Sequence, residues 1–174
     1  WGEIQLKRLI ELAGMLPYCD FLEQYTAQHE GGRLRPDLII RLPGGKNIVV
    51  DAKVPLHKYM ESTETTDEKQ RKKALKEHAQ HIRHHIKALQ QKEYAEKIDE
   101  SHEFVLLFLP VEALLIAALE VDVDLLEYSA AHNVLIATPM TLLALLRTVV
   151  VSWRHETVQK NTQAIAMASK KIIN

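Results

Sequence analysis

The sequence predicts an α/β fold in which helices flank a mixed central sheet that contains an antiparallel hairpin. Two runs rich in Ile, Leu and Val, residues 34–41 and 47–54, enclose the short segment Pro43–Gly45. This pattern is typical of a β-hairpin. Two further apolar runs, 104–109 and 134–137, each follow a stretch with helical periodicity. Strands that are reached through helices favour crossover connections, and the sheet is therefore expected to be mixed.

Helices are predicted wherever apolar residues recur every three or four positions. Gly14 ends the first helix, and Thr65 or Thr66 is expected to cap the longest one. The segment 21–28 is a weaker strand candidate. The apolar seam of the longest helix consists of Leu75, Ala79, Ile82, Ile86 and Leu89. The predicted helices are 3–13, 66–91, 112–120, 123–131, 140–151 and a helical tail over 153–174.

Length and composition set the class of protein. The 174 residues are predicted to form a single domain over 1–174, and the start at Trp1 without Met indicates a fragment of a longer chain. The single cysteine, Cys19, excludes an internal disulfide framework and is typical of a reducing, cytoplasmic location. The most apolar stretch, 105–126, is interrupted by acidic residues and Pro110, so no membrane contact is expected from this segment.

The net charge of -1 excludes a globally basic protein that coats DNA. A surface for nucleic acid must then be local, with acidic residues elsewhere balancing its charge. Gly31-Gly32 and Gly44-Gly45 lack the strand, loop and helix pattern of a phosphate-binding loop. Neither ATP use nor any other small-molecule cofactor is therefore predicted.

The residues that carry chemistry lie on the predicted hairpin. Asp51 and Lys53 are two positions apart on one strand, so their side chains leave the same face, while Val50 and Ala52 point the other way. Asp37 lies at the paired end of the preceding strand. Two carboxylates so close repel each other unless a cation lies between them. A hard cation such as Mg²⁺ prefers such oxygen ligands and lowers the pKa of a bound water. The pattern predicts metal-dependent phosphodiester hydrolysis, in which Lys53 orients water or stabilises developing charge.

The segments RPDL and VVDAKVP resemble the signature of PD-(D/E)XK nucleases. Four longer segments resemble the RmuC family of bacterial DNA recombination proteins over nearly the whole chain: WGEIQLKRLIELAGM, GGRLRPDLIIRLPGGKNIVVDAKVPL, FLPVEALLIAALE and ATPMTLLALLRTV. The resemblance implies a restriction-endonuclease-like fold and a deoxyribonuclease dependent on Mg²⁺ or Mn²⁺, with DNA as partner. It also implies a membrane anchor and a long coiled coil elsewhere in the full-length chain.

The same resemblance assigns roles to single residues. Asp37, Asp51, the carbonyl of Ala52 and Glu3 are implied as metal ligands, and Lys53 as the catalytic lysine. Three of these residues have an alternative interpretation. Asp51 and Lys53 could form an exposed salt bridge. Glu3 could simply stabilise the helix, because an acidic residue in the first turn interacts favourably with the helix dipole.

Candidate residues for nucleic-acid binding come from the hairpin and the long helix. The basic run of this helix lies at its N-terminal end, where cations are unfavourable, and this favours a phosphate partner. Three histidines, His78, His81 and His85, share one face. A zinc site there lacks a convincing further ligand. The three histidines therefore form a solvated face, or His78 and His85 line the cleft and contact phosphate or the metal-bound water. The candidates are Arg33, Arg35, Arg71, Lys72, Lys73, His78 and His85.

Two other functions remain open at this point. One is a DNA-binding or scaffold module that keeps the nuclease fold without catalysis. The other is self-association into a homo-oligomer through the apolar helices or the tail from Trp153.

Overall fold

The computed structural model describes residues 2–21, 36–52, 56–91 and 102–173. Three residues predicted to act in the site, Lys53, Arg33 and Arg35, lie outside these ranges. The described elements are α1 (Gly2–Ala13), β1 (Cys19–Phe21), β2 (Leu38–Arg41), β3 (Asn47–Asp51), α2 (His57–Glu64), α3 (Glu68–Gln91), β4 (His102–Phe108), α4 (Glu112–Val121), α5 (Leu125–Ala131), β5 (Val134–Ala137) and α6 (Pro139–Ile173).

The five described strands form one sheet in the order β1-β2-β3-β4-β5. Neighbours from β1 to β3 are antiparallel, whereas β3, β4 and β5 are parallel. The predicted mixed sheet with an antiparallel hairpin is therefore confirmed. In the hairpin turn, Gly44 and Gly45 have φ angles of 82° and 77°, a region that residues with a Cβ rarely adopt. Of the strand expected over 21–28, only Phe21 lies within the described residues, as the last residue of β1, and 22–28 fall outside them.

Helices cover both faces of the sheet because its central strands are apolar on both sides. Along β3, Ile48 and Val50 face a core shared with α1 and α6, while Val49 faces a second core shared with α3, α4 and α5. The predicted seam of α3 is buried along its whole length. This helix therefore packs against one face of the sheet.

The start of α3 differs from the prediction. The helix begins at Glu68, and the Asp67 carboxylate accepts a hydrogen bond from the Lys69 amide at 2.9 Å. The Thr65 hydroxyl accepts from the Asp67 amide at 3.3 Å and supports the turn before the helix. The prediction of Thr65 or Thr66 as the cap is therefore wrong, because Asp67 directly precedes the helix and its carboxylate accepts from an amide of the first turn. Helix α2 was not predicted, since it buries only Ser62 and has no apolar seam.

The last predicted helix and the tail form one continuous helix, α6, of 35 residues. Trp153 lies where a break was expected, and it anchors the helix instead. Its indole N–H donates to the Arg41 carbonyl at 3.0 Å, and its ring stacks on Tyr18 with centroids 4.5 Å apart. From position 157 to 173 every residue is exposed. None of the described helices is long and apolar enough to span a membrane.

Candidate active site at the end of strand β3

Two buried carboxylates lie where β2 begins and β3 ends. Asp51 is the last residue of β3 and is 3% exposed, and Asp37 immediately precedes β2 and is 8% exposed. The register pairs Leu38 with Val50, so both carboxylates lie at the same end of the hairpin. The Asp37 amide also donates to the Val50 carbonyl at 3.1 Å. The structure therefore brings these two predicted residues together.

The carboxylate of Asp37 fixes the backbone beyond Asp51. Its Oδ2 accepts a hydrogen bond from the Ala52 amide at 2.8 Å. A charged acceptor makes this bond stronger than a bond between neutral groups. The chain direction at Ala52, and hence the position of its carbonyl, is thus set by one of the two acidic residues.

Helix α1 begins beside the same backbone. A Cβ added to Gly2 would lie 3.4 Å from the carbonyl oxygen of Ala52, so the first turn of α1 packs closely on this residue. Glu3 follows in that turn and is exposed. No group of three or more His, Cys, Asp or Glu side chains in the described part of the chain is placed to hold a metal ion. Glu3 therefore does not join Asp37 and Asp51 as a third carboxylate ligand in this arrangement.

A histidine from α3 approaches the carboxylates from the opposite layer. The Nε2 atom of His85 lies 3.6 Å from Oδ1 of Asp51. This nitrogen is buried and has no hydrogen-bond partner among the described residues, although a quarter of the His85 side chain is exposed. His85 thus faces the candidate site, as the prediction of a cleft-lining histidine required, and its nitrogen points to an anionic oxygen.

His78 does not fit the predicted contact with nucleic acid. Its ring is fully buried between α3 and α4, and its Nε2 lies 2.9 Å from the Leu114 carbonyl. Burial lowers the pKa of His78, partly offset by the bond to Leu114, while nearby His81 lowers it further. The ring is therefore neutral at pH 7 and donates this hydrogen bond. Three histidines at helical spacing share a face, but α4 covers that face at His78 and not at His85.

Sequence reasoning missed a polar side chain on α1. The amide oxygen Oε1 of Gln5 is buried and has no hydrogen-bond partner in the described part of the chain. Gln5 lies one turn after Gly2 and next to the buried Leu6. The available signal was a glutamine at a core-facing position of an amphipathic helix. Buried side-chain amides normally have hydrogen-bond partners, so a glutamine there stands out from the apolar core.

The basic residues of α3 form a separate surface. Lys69, Lys72, Lys73 and Lys76 are exposed and line a shallow depression together with Glu77 and Gln80. Arg71 differs from them, because its guanidinium pairs with both carboxylate oxygens of Glu120 at 3.0 and 3.1 Å. Fourteen positions separate Arg71 from His85, which corresponds to about 21 Å along the helix. The lysines lie nine to sixteen positions before His85, which corresponds to about 14–24 Å along the helix from the residue that faces the carboxylates.

Charge is strongly segregated between α3 and the rest of the chain. The helix carries seven Lys and Arg residues and two Glu residues, a net charge of +5. The whole chain has 22 basic and 23 acidic residues, so the remainder has 15 and 21, a net charge of -6. The near-neutral total hides a local cationic surface that can attract a polyanion.

The whole chain, residues 1–174, matches the RmuC family. It is 41% identical over 172 residues to a Zymomonas mobilis protein named DNA recombination protein RmuC homolog, covering 99% of this chain and 38% of that protein. The homolog of the same name from Chlamydia pneumoniae is 42% identical over 172 residues, with 99% and 40% covered. The DNA recombination protein RmuC of Escherichia coli K12 is 34% identical over 174 residues, with 99% and 37% covered. The chain thus spans about two fifths of the length of these relatives. No solved structure matched it.

Proposed function

Because the chain belongs to the RmuC family, we propose that it hydrolyses DNA phosphodiester bonds with a divalent cation and acts in DNA recombination. The names of its relatives support a role in DNA recombination, whereas the proposal of nuclease chemistry rests on one structural observation. Two buried carboxylates, Asp37 and Asp51, lie at adjoining strand ends within a PD-(D/E)XK-like motif. Buried carboxylates are costly unless a cation or hydrogen bonds compensate their charge.

The donor atoms at this end of the sheet suit a hard divalent cation, Mg²⁺ or Mn²⁺. Such ions prefer carboxylate and carbonyl oxygens and often use only one or two protein carboxylates. Asp37, Asp51 and the Ala52 carbonyl would hold the ion, with Glu3 close by on α1. When bound, it would lower the pKa of a water and neutralise charge on phosphoryl oxygens.

The chain's own residues have distinct tasks in this proposal. Asp37 holds the Ala52 backbone through its 2.8 Å hydrogen bond and so positions the carbonyl that follows Asp51. Lys53, two positions after Asp51 in the motif, would orient the attacking water or stabilise charge on the phosphoryl group. The task of Lys53 requires a phosphate of the substrate to lie beside the C-terminal end of β3.

DNA would be held mainly by the lysines of α3. Lys69, Lys72, Lys73 and Lys76 are exposed on a helix of net charge +5, and phosphate contacts of such residues supply affinity without reading sequence. Arg71 contributes less, because Glu120 already occupies its guanidinium. Each lysine that contacts a phosphate steepens the salt dependence of binding by about one unit in a plot of log affinity against log salt.

The test compares purified parent protein with Asp37→Asn, Asp51→Asn and Lys53→Ala on single-stranded, duplex and branched DNA in Mn²⁺. Asp20→Asn is the matched control, since Asp20 lies in the same sheet and pairs at the surface with Arg41. We expect the three site variants to lose cleavage and the control to keep it. Cleavage at the parent rate by both Asp37→Asn and Lys53→Ala would refute the assignment.

A DNA-binding module without catalysis is the second candidate. It is favoured by the lack of any three-residue metal-binding group among the described His, Cys, Asp and Glu side chains. The same titration separates the two candidates. Parent protein that binds all three DNA forms in Mn²⁺ and cuts none of them would support the binding module.

A further inference from the structure

Four exposed lysines of α3 form a stripe along the side of the helix that faces away from the sheet. An α-helix turns by about 100° per residue, so these lysines lie within about 60° of one another and span about 27 Å. They are Lys69, Lys73, Lys76 and Lys87, called the lysine stripe below. The buried seam of the helix, which includes Ile82, lies on the opposite side and packs in the core.

The lysine stripe and the candidate site lie on different sides of α3. His85, whose Nε2 lies 3.6 Å from the carboxylate of Asp51, is about 120–180° round the helix from the four lysines. A helix with its side chains is about 10–12 Å across. A phosphate bound by the lysine stripe is therefore a different phosphate from one that lies beside Asp51.

The charge of the lysine stripe is not neutralised by the carboxylates of its own helix. The two glutamates of α3 contact other cations: Glu77 Oε2 lies 2.6 Å from Lys58 Nζ, and Glu68 Oε1 lies 3.7 Å from Arg71 Nη1. No ion pair between described residues includes a lysine of the stripe. Like charges three or four positions apart weaken a helix, as do cations in its first turn. This placement is more typical of a surface that binds a polyanion than of a helix that only supports the fold.

The shape of the lysine stripe suits duplex DNA. The persistence length of duplex DNA is about 150 base pairs, so the duplex is nearly straight over the length of a helix. Each strand presents a phosphate about every 3.4 Å, so a straight stripe of about 27 Å would follow about eight base pairs. Surfaces that bind unpaired strands usually add aromatic side chains on which the bases stack. Helix α3 contains no Phe, Tyr or Trp.

We propose that the lysine stripe binds the backbone of duplex DNA at a place separate from the phosphate beside the carboxylates. The substrate class is then DNA with a duplex part of about eight base pairs or more. This inference deepens the proposed function and rests on it for the identity of the polyanion. It adds the form of the DNA and a second contact, so that DNA is anchored on one side of α3 and reacts on the other.

The experiment measures binding in EDTA, so that cleavage plays no part. The DNA is a duplex of about 30 base pairs, several times the length of the stripe, and its separated single strand. The stripe variant is Lys69→Gln/Lys73→Gln/Lys76→Gln. The matched control, Lys160→Gln/Lys170→Gln/Lys171→Gln, removes the same charge from exposed positions of α6. Circular dichroism establishes that each variant is folded.

We expect the stripe variant to lose at least about tenfold in affinity for the duplex, with a plot of log affinity against log salt shallower by about two to three units. The control should stay within about threefold of the parent, because exposed charges more than about 10 Å apart are largely screened. Equal losses in the stripe variant and the control would overturn the inference. A loss on the single strand as large as that on the duplex would overturn it too.

The separation from the carboxylates is tested by adding Asp51→Asn to the parent and to the stripe variant. The loss caused by the stripe variant should be the same within about twofold in both backgrounds, because distant sites contribute independently. A loss that depends on Asp51 would contradict the separation. A parent that binds duplex DNA through the stripe but cuts no DNA in Mn²⁺ would refute the proposed hydrolysis and leave this inference standing.

Discussion

Removing the His78 ring should destabilise the protein much more than its polar character suggests. The side chain is fully buried, and it makes one hydrogen bond of 2.9 Å to the Leu114 carbonyl. His78→Ala would leave a cavity, at about 2–4 kcal/mol by comparison with other large-to-small core changes. It would also leave a buried carbonyl with one fewer donor, at about 1 kcal/mol. The sum of about 3–5 kcal/mol corresponds to a fall in melting temperature of about 6–20 °C for a domain of this size.

The same residue should make stability depend on pH. Burial lowers the pKa of His78 below its ordinary value of 6.5, so the folded protein favours the neutral ring. The unfolded chain binds the proton first as the pH falls. The contribution of His78 is therefore complete above about pH 6.5 and is lost as the pH falls from there through the lowered pKa. His78→Gln keeps a donor for Leu114 but does not titrate, so it should lose less stability on acidification.

Urea unfolding followed by circular dichroism, at about pH 7.5 and about pH 5.5, measures both effects. His84→Ala is the control, because this exposed ring should change the free energy of unfolding by no more than about 0.5 kcal/mol. The reasoning is refuted if His78→Ala loses less than about 1 kcal/mol at the higher pH. It is refuted equally if parent and His78→Gln lose the same free energy between the two pH values.

Three further outcomes can be measured on the same protein. Burial raises the pKa of the Cys19 thiol to about 12, so thiol reagents near pH 8 should label it only after unfolding. Trp153→Phe removes the indole donor to the Arg41 carbonyl and weakens the stack on Tyr18, and should cost about 1–2 kcal/mol in urea unfolding. Truncation after position 160 removes only exposed residues, so the melting temperature should fall by less than about 2 °C.

The sheet and most helices could be predicted because their signals are local. The hairpin followed from two apolar runs around Pro43–Gly45, and α3 followed from a seam that the structure buries throughout. The missed elements lack such signals. Helix α2 buries one small polar residue, and its position depends on packing against α3 rather than on its own pattern. The contact that fixes α6 at Trp153 is to Arg41, 112 positions away, so no local pattern indicates it.

Part of the candidate site could likewise be predicted from local signals, and part could not. The approach of Asp37 to Asp51 could be predicted, because hairpin register places them at one end. The separate environments of His78 and His85 could not, because both lie on the same face of α3 at helical spacing. The difference arises from α4, whose Leu114 carbonyl meets the first ring while the second lies beyond that helix and next to Asp51. Position along a helix, rather than the side of the helix, separates a core histidine from one that faces the candidate site.

The two carboxylates, Asp37 and Asp51, are also unusual among the apolar residues of the surrounding core. Strand β3 is apolar on both faces from Ile48 to Val50, and its last residue, Asp51, is a buried carboxylate. Buried charges contribute little to stability compared with well-packed apolar residues, so a carboxylate here is more typical of a functional site than of a core. Asp37 at least fastens the Ala52 backbone, whereas Asp51 directs an oxygen towards the buried nitrogen of His85. Because sequences break core patterning mainly where function requires it, the end of β3 is the place in the described fold where chemistry is to be sought.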